Sequence, residues 1–175
     1  MKTRILICMV LLLAMTIHSF AQQDSVKLKI GQQVPEFDYE ITPGVIQNIT
    51  DIKDKLVMIT FFATWCGPCR QELPHIQEDI YNKYKNDNYF QLLIFGREHN
   101  WEEITKFQTD NKYTMPFYPD PQRAIYAKFA DQFIPRNFLI SPEGKVLYSS
   151  VGFVEKDFEA LKQLIKEQLR KMPAK

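Results

Sequence analysis

Leu56-Val57-Met58-Ile59-Thr60-Phe61-Phe62-Ala63-Thr64-Trp65-Cys66-Gly67-Pro68-Cys69-Arg70-Gln71-Glu72-Leu73-Pro74 is the stretch on which the reading turns. Its first eight residues are almost continuously apolar, the pattern of a strand buried on both faces. Beyond Gly67 the period changes. Leu73, Ile76, Ile80 and Tyr84 follow at steps of three and four, which predicts a helix from Gly67 to about Tyr84. Pro74 lies inside it and predicts a kink, not an end. Two cysteines three apart, where a strand hands over to a helix, can close a small disulfide ring with little backbone movement. Cys66 falls at the helix N-terminus, where unpaired N–H groups and the dipole stabilise a thiolate. Such placement lowers a thiol pKa from about 8.5 to as little as about 3.5. Cys69, one turn in, is expected to be less exposed and suited to resolving a mixed disulfide. Gly67 is expected to let the chain turn, and Pro68 to take a first-turn position that needs no donor. Trp65 is expected to shield the sulfurs and to offer a partner a flat apolar contact.

Outward from this stretch, strands are expected at Phe37–Ile41 and Val45–Ile49 around the turn Thr42-Pro43-Gly44, and at Tyr89–Phe95. Helices are expected from Trp101 to Phe107, Gln122 to Phe129 and Glu155 to Lys171, with Pro116–Pro121 a proline-rich break. Strands Arg136–Ile140 and Lys145–Val151 flank the turn Ser141-Pro142-Glu143-Gly144. This order describes an α/β fold, a three-layer α/β/α sandwich on a mixed sheet.

The chain has 175 residues, 45% hydrophobic and 25% charged, with a net charge of +1. That suits one globular domain and excludes the basic stripe of a nucleic-acid binder. Lys2 and Arg4 precede an apolar run, Ile5–Ile17, and small residues precede a cut after Ala21: the three parts of a secretory signal peptide. The run spans about 20 Å as a helix, too short for roughly 30 Å of hydrocarbon. The expected organisation is a signal peptide over 1–21, a flexible segment over 22–34 and the domain over 35–175. Cleavage also removes Cys8. Cys66 and Cys69 are then the whole cysteine content of a chain exported to where disulfides form.

Two other uses of the pair are weaker. A structural zinc needs four ligands, and His75, two turns down the helix, is badly placed to join both sulfurs; no metal and no cofactor is expected. A purely structural disulfide of this loop size would constrain the unfolded chain little. Redox activity is the better reading.

The stretch Phe61 to Pro74 resembles the active site of thioredoxin-fold proteins, and Arg70, Glu72 and Pro74 resemble the exported TlpA/ResA-like thiol-disulfide oxidoreductases. Gln32–Phe37 is similar to that family's entry into an extra N-terminal β hairpin, and Trp101–Phe129 to its βα-type insertion. Phe133–Ile140 resembles the loop carrying the family's cis-proline, here Pro135, with the backbone of Ile134 facing an extended substrate. The resemblance implies a Cys66–Cys69 disulfide, with Cys66 as nucleophile and Cys69 as resolving thiol.

In thioredoxins a buried Asp stands six residues before the first cysteine and accepts the resolving thiol's proton. Thr60 stands there in this chain. Glu98 is the expected replacement, with His99 beside it, while Arg70 and Glu72 read as a charged helix face. The resemblance implies a periplasmic or cell-envelope monomer that reduces disulfides of exported proteins, cytochrome c maturation among the uses, with electrons from a membrane thiol partner of CcdA/DsbD type. The rivals are a DsbA-like oxidase or isomerase and a non-catalytic client-binding module. A copper-binding module would carry CxxxC, and a peroxidase needs a Thr where Ala63 stands.

Overall fold

The computed structural model describes residues 26–173; the leader expected over 1–21, with Cys8, lies outside them. Strand β3 (Leu56–Phe62) is buried at every residue because it is the central strand of five. β4 (Phe90–Arg97) runs parallel on one side, and β6 (Arg136–Ile140) antiparallel on the other. β5 (Phe117–Asp120) and β7 (Val146–Val151) complete the order β5-β4-β3-β6-β7, the expected mixed sheet. β1 (Asp38–Thr42) and β2 (Val45–Asn48) form a separate antiparallel hairpin.

Helix α1 (Gly67–His75) passes without interruption through a π-helical stretch (Ile76–Tyr81) into a last turn (Asn82–Tyr84). Pro74 therefore does not end it. The missing N–H is accommodated by a widened stretch two residues on. One face of the sheet packs against α1, α2 (Trp101–Asp110) and α4 (Glu155–Arg170), through Leu73, Ile80, Ile104, Phe107, Leu161 and Ile165. The other face carries α3 (Tyr126–Phe129), the hairpin and an aromatic cluster centred on Phe61, whose ring lies 5.1 Å from Phe129, 5.2 Å from Tyr126 and 5.7 Å from Phe95.

Two expectations are corrected. The proline-rich break contains β5, which pairs parallel with β4 in register Ile94–Phe117 to Arg97–Asp120. Pro119 is tolerated there because an edge strand has a neighbour on one side only. The segment expected to be loose up to residue 34 is tied down from Val26 onward. Leu28 is buried among the aromatic residues of the second face. Backbone N–H groups of Lys27, Gly31 and Val34 donate to carbonyls of Phe129, Val146 and Gly144. Burial of one leucine and these bonds outweigh the polar composition.

Leu28→Ala is expected to lower stability by about 2–3 kcal/mol in urea unfolding. A segment that did not pack would show no change.

Candidate active site

Cys66 is the N-cap of α1, at the point where the chain leaves the buried end of β3. The backbone N–H of Cys69 donates to Cys66 Sγ at 3.2 Å, so one of the orphan donors of the first turn is aimed at the sulfur. The two cysteines are joined as a disulfide with Cα atoms 5.3 Å apart. Cys66 keeps 5% exposure and Cys69 none, the asymmetry expected of an attacking and a resolving thiol. Pro68 sits in the first turn, where no N–H is required. Gly67 differs from expectation: its φ is not in the left-handed region and a Cβ there would meet nothing within 4 Å, so the turn does not require glycine. Trp65 is 62% exposed, placing an apolar plane at the rim. The His75 ring stacks on Phe153 at 5.3 Å.

The second wall comes from the loop before β6. The Ile134–Pro135 peptide is cis, and the carbonyl oxygen of Ile134 lies 3.6 Å from Cys66 Sγ. Phe133, at φ +66°, is half exposed beside it. Among the bonds that hold the loop, the Tyr126 hydroxyl donates to the Phe133 carbonyl (2.8 Å), Arg136 Nε to the Gln132 carbonyl (3.1 Å) and Gly152 N–H to the Pro135 carbonyl (2.8 Å).

Beneath the dithiol lies a polar network inside an apolar core. Thr60 on β3 faces Asn137 on β6 in register, and its hydroxyl donates to Asn137 Oδ1 at 2.8 Å. Asn137 Nδ2 donates in turn to Glu72 Oε1 at 2.6 Å. Glu72 is 2% exposed, not part of a charged surface. Burial pushes its carboxyl up from the ordinary 4.5 to about 7, against a smaller opposing effect of the Asn137 hydrogen bond. The spacing held the signal: Cys69, Glu72, Leu73 and Ile76 share one helix face and are all buried.

Glu98 is exposed, and its carboxylate pairs with Arg97 at 3.2 Å. The buried carboxyl on the helix of the dithiol is Glu72, one turn beyond Cys69. His99 is buried at the end of β4, where its Nε2 accepts a hydrogen bond from Thr64 N–H at 3.0 Å.

A sequence model of the Redoxin family matches residues 29–165, most of the chain. The chain belongs to the Redoxin family. Among curated relatives of this Redoxin-family protein is the thiol-disulfide oxidoreductase ResA of Bacillus anthracis, 27% identical over 86% of this chain and 90% of that protein. The thioredoxin-like protein YneN of Bacillus subtilis is 28% identical over 75% and 76%. Among solved structures, one from Bacteroides thetaiotaomicron, provisionally named a protein disulfide isomerase, superposes with a TM-score of 0.80 at 35% identity, covering 85% of this chain and 94% of its own. The fold is thioredoxin-like, of the TlpA/ResA type, and the protein is a thiol-disulfide oxidoreductase with the Cys66–Cys69 pair at its centre.

The raised pKa of Glu72 has a sign. A carboxyl that binds its proton more tightly when folded stabilises the fold fully below about pH 4.5, and that contribution is lost as pH rises through about 7. Urea unfolding of the oxidised protein is expected to lose on the order of 2 kcal/mol between pH 5 and 8 from this group. Glu72→Gln, which still accepts from Asn137, should remove that component of the decline.

Proposed function

We propose that this protein is an exported, monomeric reductant of protein disulfides, acting in the periplasm or cell envelope after loss of residues 1–21. The observation that carries the reading is the joint placement of Cys66 at a helix N-cap, 3.6 Å from the Ile134 carbonyl, with Cys69 wholly buried one turn from Glu72. A client strand lies along Ile134, held by its backbone and by the rim of Trp65 and Phe133. Cys66 thiolate attacks one sulfur of the client disulfide; a mixed disulfide forms and one client thiolate leaves. Cys69 then passes its proton to the Glu72 carboxylate and attacks Cys66 Sγ. The second client thiolate is expelled as the Cys66–Cys69 disulfide closes. Two electrons have moved to the client, and the protein is left oxidised. The carboxyl of Glu72, with a pKa of about 7, can take and return that proton near neutral pH.

Direction follows from the Gly67-Pro68 dipeptide, the thioredoxin pairing, for which the potential is about −270 mV. In an oxidising compartment the disulfide must be reduced again by a membrane thiol protein of CcdA/DsbD type. Apocytochrome c is one class of client that fits such a relay. ResA-named relatives support the general activity and leave the client open.

Equilibration with glutathione, read alongside insulin reduction, tests the direction. A potential near −270 mV with insulin turnover is expected; one near −120 mV would make the protein a DsbA-like oxidant, and absent turnover would make it a binding module. Cys66→Ser should abolish turnover, and Cys69→Ser should accumulate mixed disulfides with clients. Glu72→Gln should slow release from the mixed disulfide on the order of a hundredfold at pH 7 while leaving formation of that intermediate unchanged.

A further inference from the structure

Arg97, the last residue of β4, and the two that follow it, Glu98 and His99, have no part in the thiol chemistry above, yet the side chains of Arg97 and His99 reach the two residues that precede Cys66. His99 Nε2 accepts from Thr64 N–H at 3.0 Å, with Thr64 Oγ1 at 3.3 Å. A backbone N–H can only donate, so Nε2 carries no proton and the neutral ring holds its proton on Nδ1. The Arg97 guanidinium lies 5.6 Å from the centre of the Trp65 ring and 5.2 Å from that of Tyr126. Tyr126 in turn holds the Phe133 carbonyl of the opposite wall. Glu98 between them adopts φ +66°, which a non-glycine residue seldom does. The seat is built for close approach: a Cβ on Gly96 would stand 3.2 Å from His99 Cβ and 2.7 Å from Ile104 Cγ2.

We propose that Arg97 and His99 are positioning residues for the nucleophile, a two-point clamp that fixes the Thr64–Trp65 segment and through it the placement of Cys66 at its helix N-terminus. His99 supplies the polar point and Arg97 the stacked one. The clamp works only with His99 neutral at Nε2, since an added proton there turns the acceptor into a donor facing the Thr64 N–H. The groups that face the ring are few. Glu103 of α2 has its carboxylate 3.5 Å from Nδ1, and Thr64 contacts Nε2. Phe62 of β3 contributes a ring at 6.3 Å, and Arg97 and Glu98 on the same turn pair with each other. Glu103 favours a proton on Nδ1, the arrangement that leaves Nε2 free to accept.

The inference rests on the thiol-disulfide reading of the site but not on its direction, so it is tested on Cys66 alone. The reduced full chain is alkylated with iodoacetamide from pH 5 to 9, and modification is assigned to Cys66 by fragment mass spectrometry. His99→Phe keeps a ring against Phe62 and removes the acceptor; at pH 7 it should react at least about threefold more slowly, through a raised thiol pKa. His99→Gln, whose amide oxygen can reach the Nε2 position, should restore the rate to within about twofold. Arg97→Met should slow alkylation as well, since it removes the stacked point on Trp65. Wild-type rates in the folded His99→Phe and Arg97→Met proteins, or a His99→Gln rate as low as that of His99→Phe, would overturn the clamp. Should His99→Phe not fold, a wild-type rate in Arg97→Met overturns it alone. Loss of insulin reduction with an intact His99 effect on alkylation would instead count against the reductant reading.

Discussion

The N–H of Cys69 pointing at Cys66 Sγ is the contact around which the molecule is arranged. It exists because a helix begins where a strand buried on both faces ends, which fixes the orphan donors of the first turn at the surface of a rigid sheet. A loop could bring two cysteines equally close, but it would not aim a backbone dipole at one of them. The central position of β3 is thus a functional requirement as much as a packing one. Phe61 and Phe62, buried on opposite faces, hold the strand end from which Cys66 is presented.

One of the places where polar groups enter the core lies on the helix of the dithiol and the two strands beside it. Thr60, Asn137 and Glu72 bring a hydroxyl, an amide and a carboxyl into surroundings of Leu, Ile and Phe, connected to one another. Partly satisfied groups of this kind cost stability, since Glu72 Oε2 has no partner among the described residues. Retaining such a cost one turn from the buried thiol is understandable where a proton must be stored away from water. Asn137 fixes the carboxyl while leaving one of its oxygens free to exchange a proton.

Much of this was legible in the residues, for reasons that differ by element. β3, α1 and α4 could be read because their apolar periods are long and unbroken. The cysteine pair could be read because a helix N-terminus follows directly in sequence. β5 could not, because Pro116 and Pro119 speak locally against a strand, and the fact that it lies at an edge is a property of the sheet. Leu28 alternates with lysines between Val26 and Ile30, and nothing local shows that Leu28 is buried while Ile30 stays exposed. Glu72 was within reach: its spacing from Cys69 and Ile76 puts it on the buried face, but a charged residue close to Arg70 reads as surface. Asn137 could not be assigned without the β3–β6 register, which joins residues 77 apart. Glu98 looked well placed because it follows a strand next to the site, yet its left-handed backbone sends the carboxylate to Arg97 at the surface.

The disulfide closes within a single helical turn, between residues three apart. Opening so small a ring releases almost no chain, and closing it restrains almost none. The scaffold is therefore nearly indifferent to its own oxidation state, and each catalytic cycle runs without loosening the domain that hosts it. A partner that must tell the loaded from the spent form finds no cross-link between separate elements made or broken. It has to feel the difference at the rim itself, in the charge on one sulfur and in the small plane of Trp65 beside it.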